Sequence, residues 1–221
     1  MTAEYRLFQL ISPSLPIGAF TYSQGLEWAI EKEWVTSKES LTFWLADVLE
    51  NSIASLELPL LRRYWHAVHE HDCDAVMRWN LWLYACRETS ELRREEEQRG
   101  KATFTLLKHL NVAGNDALSG LCGSNQLAAF ALAAVGWGIS EEDICRGYLW
   151  SWMENAVMAG VKLVPLGQTA GQQLMMEMAG NLDEALRASS KVSDHEIGSF
   201  TPAQAIASCR HETQYTRLFR S

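Results

Sequence analysis

The sequence predicts an all-α fold: a single-domain helical bundle of about ten helices around a central helix, completed by a C-terminal helix and tail. Three observations predict it. Leu and Ala far outnumber Val and Ile, only 5 prolines occur in 221 residues, and strict polar/apolar alternation is hard to find. Apolar residues recur instead at steps of three and four, which stacks side chains on one helix face. At 24.9 kDa the chain can build one sizeable core, and nothing in it forces a second.

Taken in order, Tyr5 to Ile11 is a short apolar segment, and Pro13, Pro16 and Gly18 stiffen the turn after it. A helix follows, capped by Tyr22 or Ser23, with Leu26, Ile30 and Trp34 as its buried row and Glu27 and Glu31 beside them. Thr36 with Glu39 reads as a capping box before a long amphipathic helix through Leu41, Trp44, Leu45, Val48, Leu49, Ile53 and Leu56, which Pro59 interrupts or restarts. Leu60, Leu61, Tyr64 and Trp65 mark a further helix. Asp72 caps the next, which carries Val76, Trp79, Leu83 and Cys86 inside.

From Glu88 to Lys101 the chain reads ETSELRREEEQRGK, dense in both charges. Pairs such as Glu95 with Arg99 support an exposed helix by about 0.3 kcal/mol each. A solvated face and a partner-binding strip both fit this pattern. Leu106, Leu107 and Leu110 close the helix, and Gly114, Asn115 and Asp116 mark a loop. Ala117 to Ser140 contains no charged residue and passes the roughly 20 residues a bilayer requires. Polar and glycine residues fill its first half, however, so it reads as a short buried helix against the central one.

That central helix lies in Gly147 to Gly171, GYLWSWMENAVMAGVKLVPLGQTAG. Leu149, Met153, Ala156, Gly160 and Leu163 share one face, and Trp150, Trp152, Val157 and Val161 make the rest apolar, which predicts a helix enclosed on most sides. Ser151, Asn155 and Lys162 form one polar row, equally suited to buried hydrogen bonds between helices and to a functional surface. Ser140 with Asp143 caps its approach. Pro165 ends helical geometry at Val164, and a second helix runs from Gln168 to Met178. Asn181 with Glu184 reads as the cap of another helix, and Arg187 to Phe200 as a linker or mobile loop. Thr201, Pro202 and Gln204 start the last helix, which leads to HETQYTRLFRS. Its aromatic and Arg residues are types enriched in interface anchors, although folding back onto the core would use them as well.

A net charge of −8 argues against sequence-independent nucleic-acid binding, which needs a positive face. The N-terminal stretch lacks the layout of a secretion signal, and 5 scattered Cys without a CxxC fit a reducing cytosol. Phosphate-loop, dinucleotide, nucleophile-elbow and HExxH motifs are absent, and no catalytic residue or cofactor is expected. His66, His69, His71, Asp72 and Cys73 fall within eight positions, in a mixture acceptable to zinc or nickel, but the spacing matches no strong site pattern. Solvated His near a helix end is the competing reading, and no metal site is assigned. Two rival functional classes remain: a direct metal carrier using His66 and His69, and a helical enzyme enclosing a small cofactor in its Trp-rich core.

Four segments carry a resemblance. SPSLPIGAFTYSQGLEWA, RETSELRREEEQRG, YLWSWMENAVMAGVKLVPLGQTAGQQL and HETQYTRLFRS occur in this order from near residue 8 to Ser221, and together they resemble the UreF family of urease accessory proteins. The resemblance implies a cytosolic, homodimeric protein without catalysis of its own. Such proteins join the accessory protein UreD (UreH in some species) and the GTPase UreG in a complex that delivers nickel to the urease apoprotein. It further implies partner-binding ends at 1–20 and 201–221, mobile until bound. Tyr215, Arg217, Leu218, Phe219 and Arg220 are then expected to dock onto UreD, and Glu27, Glu154 and Lys162 to meet UreG. No membrane and no nucleic acid belong to this picture.

Overall fold

In the computed structural model, which describes residues 2–221, six of the eleven α-helices begin where short polar side chains take up backbone N–H groups that lack an intrahelical partner. In order they are α1 (Ala3–Ile11), α2 (Leu26–Glu31), α3 (Lys38–Val48), α4 (Leu58–His69), α5 (Cys73–Cys86), α6 (Ser90–His109), α7 (Ala117–Cys122), α8 (Gln126–Trp137), α9 (Glu141–Leu163), α10 (Gln168–Ser189) and α11 (Pro202–His211). No strand occurs among the described residues. Asp72, Thr89, Asp116, Asn125 and Ser140 cap α5 to α9 in succession. At α3 the capping box is Ser37 with Ser40, one residue beyond the expected Thr36 and Glu39. Each of these serines accepts from the other's backbone N–H, at 3.3 and 3.0 Å.

Pro59 restarts the long helix without breaking its course: it sits in the first turn of α4, which begins at Leu58. Leu49–Glu57 is a π-helical stretch joining α3 to α4, with Leu58 N–H bonded back five residues to the Ile53 carbonyl. A proline at 59 leaves the Ser55 carbonyl without its helical donor. Gly198 N–H supplies one at 3.2 Å, and Phe200 N–H reaches the Asn51 carbonyl at 2.9 Å. The segment expected to be a mobile linker is therefore pinned. Ile197 is buried, its carbonyl accepts from Trp82 Nε1 at 3.0 Å, and Arg63 Nη2 donates to the Val192 carbonyl at 2.6 Å. Helix α10 does not restart at Asn181: it runs unbroken to Ser189, burying Leu174, Met178, Ala185 and Leu186 along one side.

The helix enclosed on every side is α8, where every residue from Gln126 to Ala134 is buried against α4 and α6. Its small, uncharged residues allow close approach all round. Helix α9 is its long neighbour and keeps one open face, with Trp150 43 % exposed and Lys162 in solvent. The expected enclosure on most sides holds, and Ser151, Glu154, Asn155 and Lys162 turn the remaining side outward. Val164 is extended, as Pro165 requires, and α10 leaves from Gly167.

Candidate partner-binding surface

The chain turns sharply into helix α2. Gly25 has φ +87°, and a Cβ there would lie 2.7 Å from the Ser208 backbone nitrogen on α11. This close approach brings α11 over α2 and puts His211, its last residue, fully inside. The imidazole Nδ1 lies 2.8 Å from Glu91 Oε2 and Nε2 lies 3.1 Å from Glu27 Oε2. Glu91 also receives Arg217 Nη1 at 2.7 Å. Glu212 closes the α6 N-terminus, accepting from Ser90 N–H at 2.9 Å, where a carboxylate suits the helix dipole.

The ten residues after His211 lie along the body as a strap. Leu218 N–H and Phe219 N–H donate to the Glu27 carboxylate at 2.6 and 2.9 Å. Arg220 N–H donates to the Thr21 carbonyl at 2.8 Å, and the Ser221 carbonyl accepts from Ser23 N–H at 2.6 Å. Phe219 and Ser221 point inward and are buried, while Leu218 and Arg220 point out, the alternation of an extended chain. Tyr215 is fully exposed and Leu218 is 68 % exposed. Of the five tail residues singled out in the sequence, four thus face solvent and Phe219 serves as the anchor.

The second expected set divides differently. Glu27 is buried under the strap, so its carboxylate is a fastening point and not part of a free face. Lys162 is exposed in the last turn of α9, its Nζ 5.9 Å from the Phe20 ring centroid and 5.8 Å from that of Phe219. Glu154 is partly covered on the same helix, and burial lifts its carboxyl above the ordinary range. It stands eight residues, about 12 Å, from Lys162 along the axis. The structure thus joins Glu27 and Lys162 through Phe219 and leaves Glu154 apart from both.

The body also holds buried charge pairs, of which the sequence spacing indicated Glu95 with Arg99 but not their burial. Arg87 donates from Nη1 to Glu57 at 2.8 Å and from Nη2 to Glu96 at 2.6 Å, with Arg87 and Glu57 both buried. The two carboxylates hold the guanidinium well above its ordinary value against the opposing effect of burial. Glu95 pairs with Arg99 at 2.7 Å, yet burial still pushes its carboxyl up. A cavity of about 40 Å³ adjoins this pair and is lined also by Tyr22, Gln24, Asn155 and Gln204. Beyond the four-residue spacing of Glu95 and Arg99, the only sequence signal for these groups was their charge, and a run such as ELRREEEQR does not tell which members turn inward.

His66 and His69 take separate partners. His66 Nε2 meets Glu141 Oε2 at 2.7 Å, while the His69 ring stacks on Trp65 with centroids 5.0 Å apart. Among the described residues no group of three or more His, Cys, Asp or Glu side chains is placed to hold a metal ion, and no helix is long and apolar enough to cross a membrane.

With this geometry in hand, the relatives are informative. The family model described as UreF matches residues 35–179. A urease accessory protein UreF from Alcanivorax borkumensis is 49 % identical over 230 residues, covering 100 % of this chain and 99 % of its own. Proteins of the same description from Alkalilimnicola ehrlichii and Escherichia coli O157:H7 are 45 % and 47 % identical, covering 99 % and 98 % of this chain and 96 % of each relative. A family match over most of the chain, together with relatives of this identity along its whole length, places it plainly: the chain belongs to the UreF family of urease accessory proteins.

Proposed function

We propose that this chain is a non-catalytic scaffold and GTPase regulator that joins UreD (UreH) and UreG in the complex inserting nickel into the urease apoprotein. It acts in the cytoplasm as a homodimer and needs no cofactor of its own. The observation that carries this reading is the strap. A tail of aromatic, aliphatic and Arg side chains is fixed on a rigid body by its backbone while Tyr215, Arg217, Leu218 and Arg220 are left outward. Exposed anchors on an ordered support bind without a large ordering cost. The UreD-type partner takes this row, and the UreG-type partner takes the open face of α9 with Glu154 and Lys162.

Co-purification of the three proteins tests both assignments. Tyr215→Ala with Leu218→Asp should abolish recovery of UreD while the circular dichroism spectrum stays helical. Lys162→Glu should weaken recovery of UreG. Undiminished recovery of UreD with the double variant would remove the tail from the binding surface. Light scattering should return twice the 24.9 kDa chain mass for the free protein, and a monomer would refute the homodimer.

A further inference from the structure

Folding sorts the charges of α6. In sequence its charged run carries both signs, yet three of its carboxylates turn inward: Glu91 and Glu95 are buried and Glu96 is half-buried, paired with Arg217, Arg99 and Arg87. The cations left outside are Arg94, Lys101 and Lys108, all exposed and none in an ion pair among the described residues. Lys108 rests its ammonium 4.7 Å from the Phe104 ring centroid instead. Each of the three stands seven residues after the last, so they line one side of the helix at intervals of about 10 Å. Exposed, uncharged Gln98 and Thr105 fill the gaps, and Glu97 is the one exposed carboxylate of α6. A helix that reads as mixed in sequence thus presents a basic row on a chain of net charge −8.

We propose that Arg94, Lys101 and Lys108 form a docking row for an acidic protein segment whose carboxylates repeat at about 10 Å, the interval of an acidic helix lying along α6. Charge complementarity selects this occupant. An anionic membrane surface also attracts cations, but a helix that lies in it needs an apolar face to insert, and α6 exposes no apolar side chain. Nucleic acid is disfavoured because three cations make few phosphate contacts against the field of a chain at −8. The inference goes beyond the proposed placement of UreD and UreG and does not rest on it.

Fluorescence anisotropy on the full chain tests the row with a labelled helical peptide carrying three glutamates seven residues apart, against a peptide of the same composition with the glutamates scattered around the helix. The matched peptide should bind about fivefold tighter than the scattered one, and raising salt from about 0.05 M to about 0.5 M should remove the difference. Arg94→Gln, Lys101→Gln and Lys108→Gln together should weaken the matched peptide about tenfold while the circular dichroism spectrum stays helical. Each single variant should weaken it about twofold, which keeps the test decisive if the triple variant does not fold. Arg187→Gln with Lys191→Gln removes exposed cations at the end of α10 and should change binding by less than about twofold. Equal affinity for the two peptides, an equal loss in the α6 and α10 variants, or no binding of the matched peptide overturns the proposal. Binding of a thymidine oligonucleotide, or of vesicles of phosphatidylglycerol and phosphatidylcholine, that falls further than peptide binding when the three cations are removed overturns the assignment of an acidic protein.

Discussion

Gly100→Ala on α6 sets two physical effects against each other. In a helix interior, replacing Gly by Ala is worth about 1 kcal/mol in favour of folding. At this position a Cβ would lie 2.5 Å from the nitrogen, 2.6 Å from the Cα and 2.8 Å from the carbonyl carbon of Asn125. Asn125 cannot retreat. It caps α8 by accepting from Ala128 N–H at 2.9 Å, and its Nδ2 donates to Asn80 at 2.8 Å and to Tyr64 at 3.2 Å. Overpacking against backbone lies at the upper end of its usual range, about 3 kcal/mol, so the net cost is about 2 kcal/mol. For a chain of this size that lowers Tm by about 4 to 8 °C. Gly180→Ala is the matched control: it lies inside α10 with nothing within 4 Å of its Cβ and should raise stability by about 1 kcal/mol. Urea titrations followed by circular dichroism measure both. A Gly100→Ala protein as stable as the parent would refute the close-contact argument.

Further outcomes follow from the buried groups. Arg87→Met leaves the Glu57 carboxylate buried without its cation and should cost about 3 to 5 kcal/mol in urea titration, a loss that shrinks when Glu57→Gln is added. Burial pushes the Cys122 and Cys145 thiols up to about 12, so a thiolate-specific reagent at about pH 8 should label exposed Cys209 and spare these two until the chain unfolds. Label on native Cys145 by mass spectrometry would contradict that packing. For Glu95 the folded-state value is raised, so the native state holds this proton more tightly, and its contribution to stability is lost as pH rises through the raised value. The stability of Glu95→Gln relative to the parent should therefore increase from about pH 4 to pH 8, and a constant difference would show the carboxylate to be solvated.

Helix content, the capping side chains at Asp72 and Ser140 and the break at Pro165 were legible in the sequence because each depends on residues within four positions of one another. What was not legible depends on distant segments. Pro59 reads locally as an interruption, and only Gly198, brought back across the bundle, satisfies the carbonyl it leaves open. The charged run in α6 fits a solvated face or a partner-binding strip, yet Glu91 and Glu95 are buried, with Arg217 and Arg99 supplying counter-charges and His211 a further polar contact to Glu91. Composition at 190–200 gave no sign that Arg63 and Trp82 would tie that segment down.

The same distinction governs the candidate site. A charged residue inside a family motif can be there to meet a partner or to hold the chain that does, and sequence cannot separate the two. Tyr215 and Leu218 extend into solvent with no internal task, which is the condition for presenting a surface. Glu27 meets the opposite condition: its carboxylate lies within hydrogen-bond distance of two strap amides and His211, and replacing it would disturb tail, helix end and imidazole together. A loss of partner binding in a Glu27 variant would therefore report the position of the strap before it reported any contact made by Glu27. Lys162 stands between these cases, in solvent yet resting on the strap's anchor ring, so its substitution is informative only when strap order and partner binding are measured on the same protein.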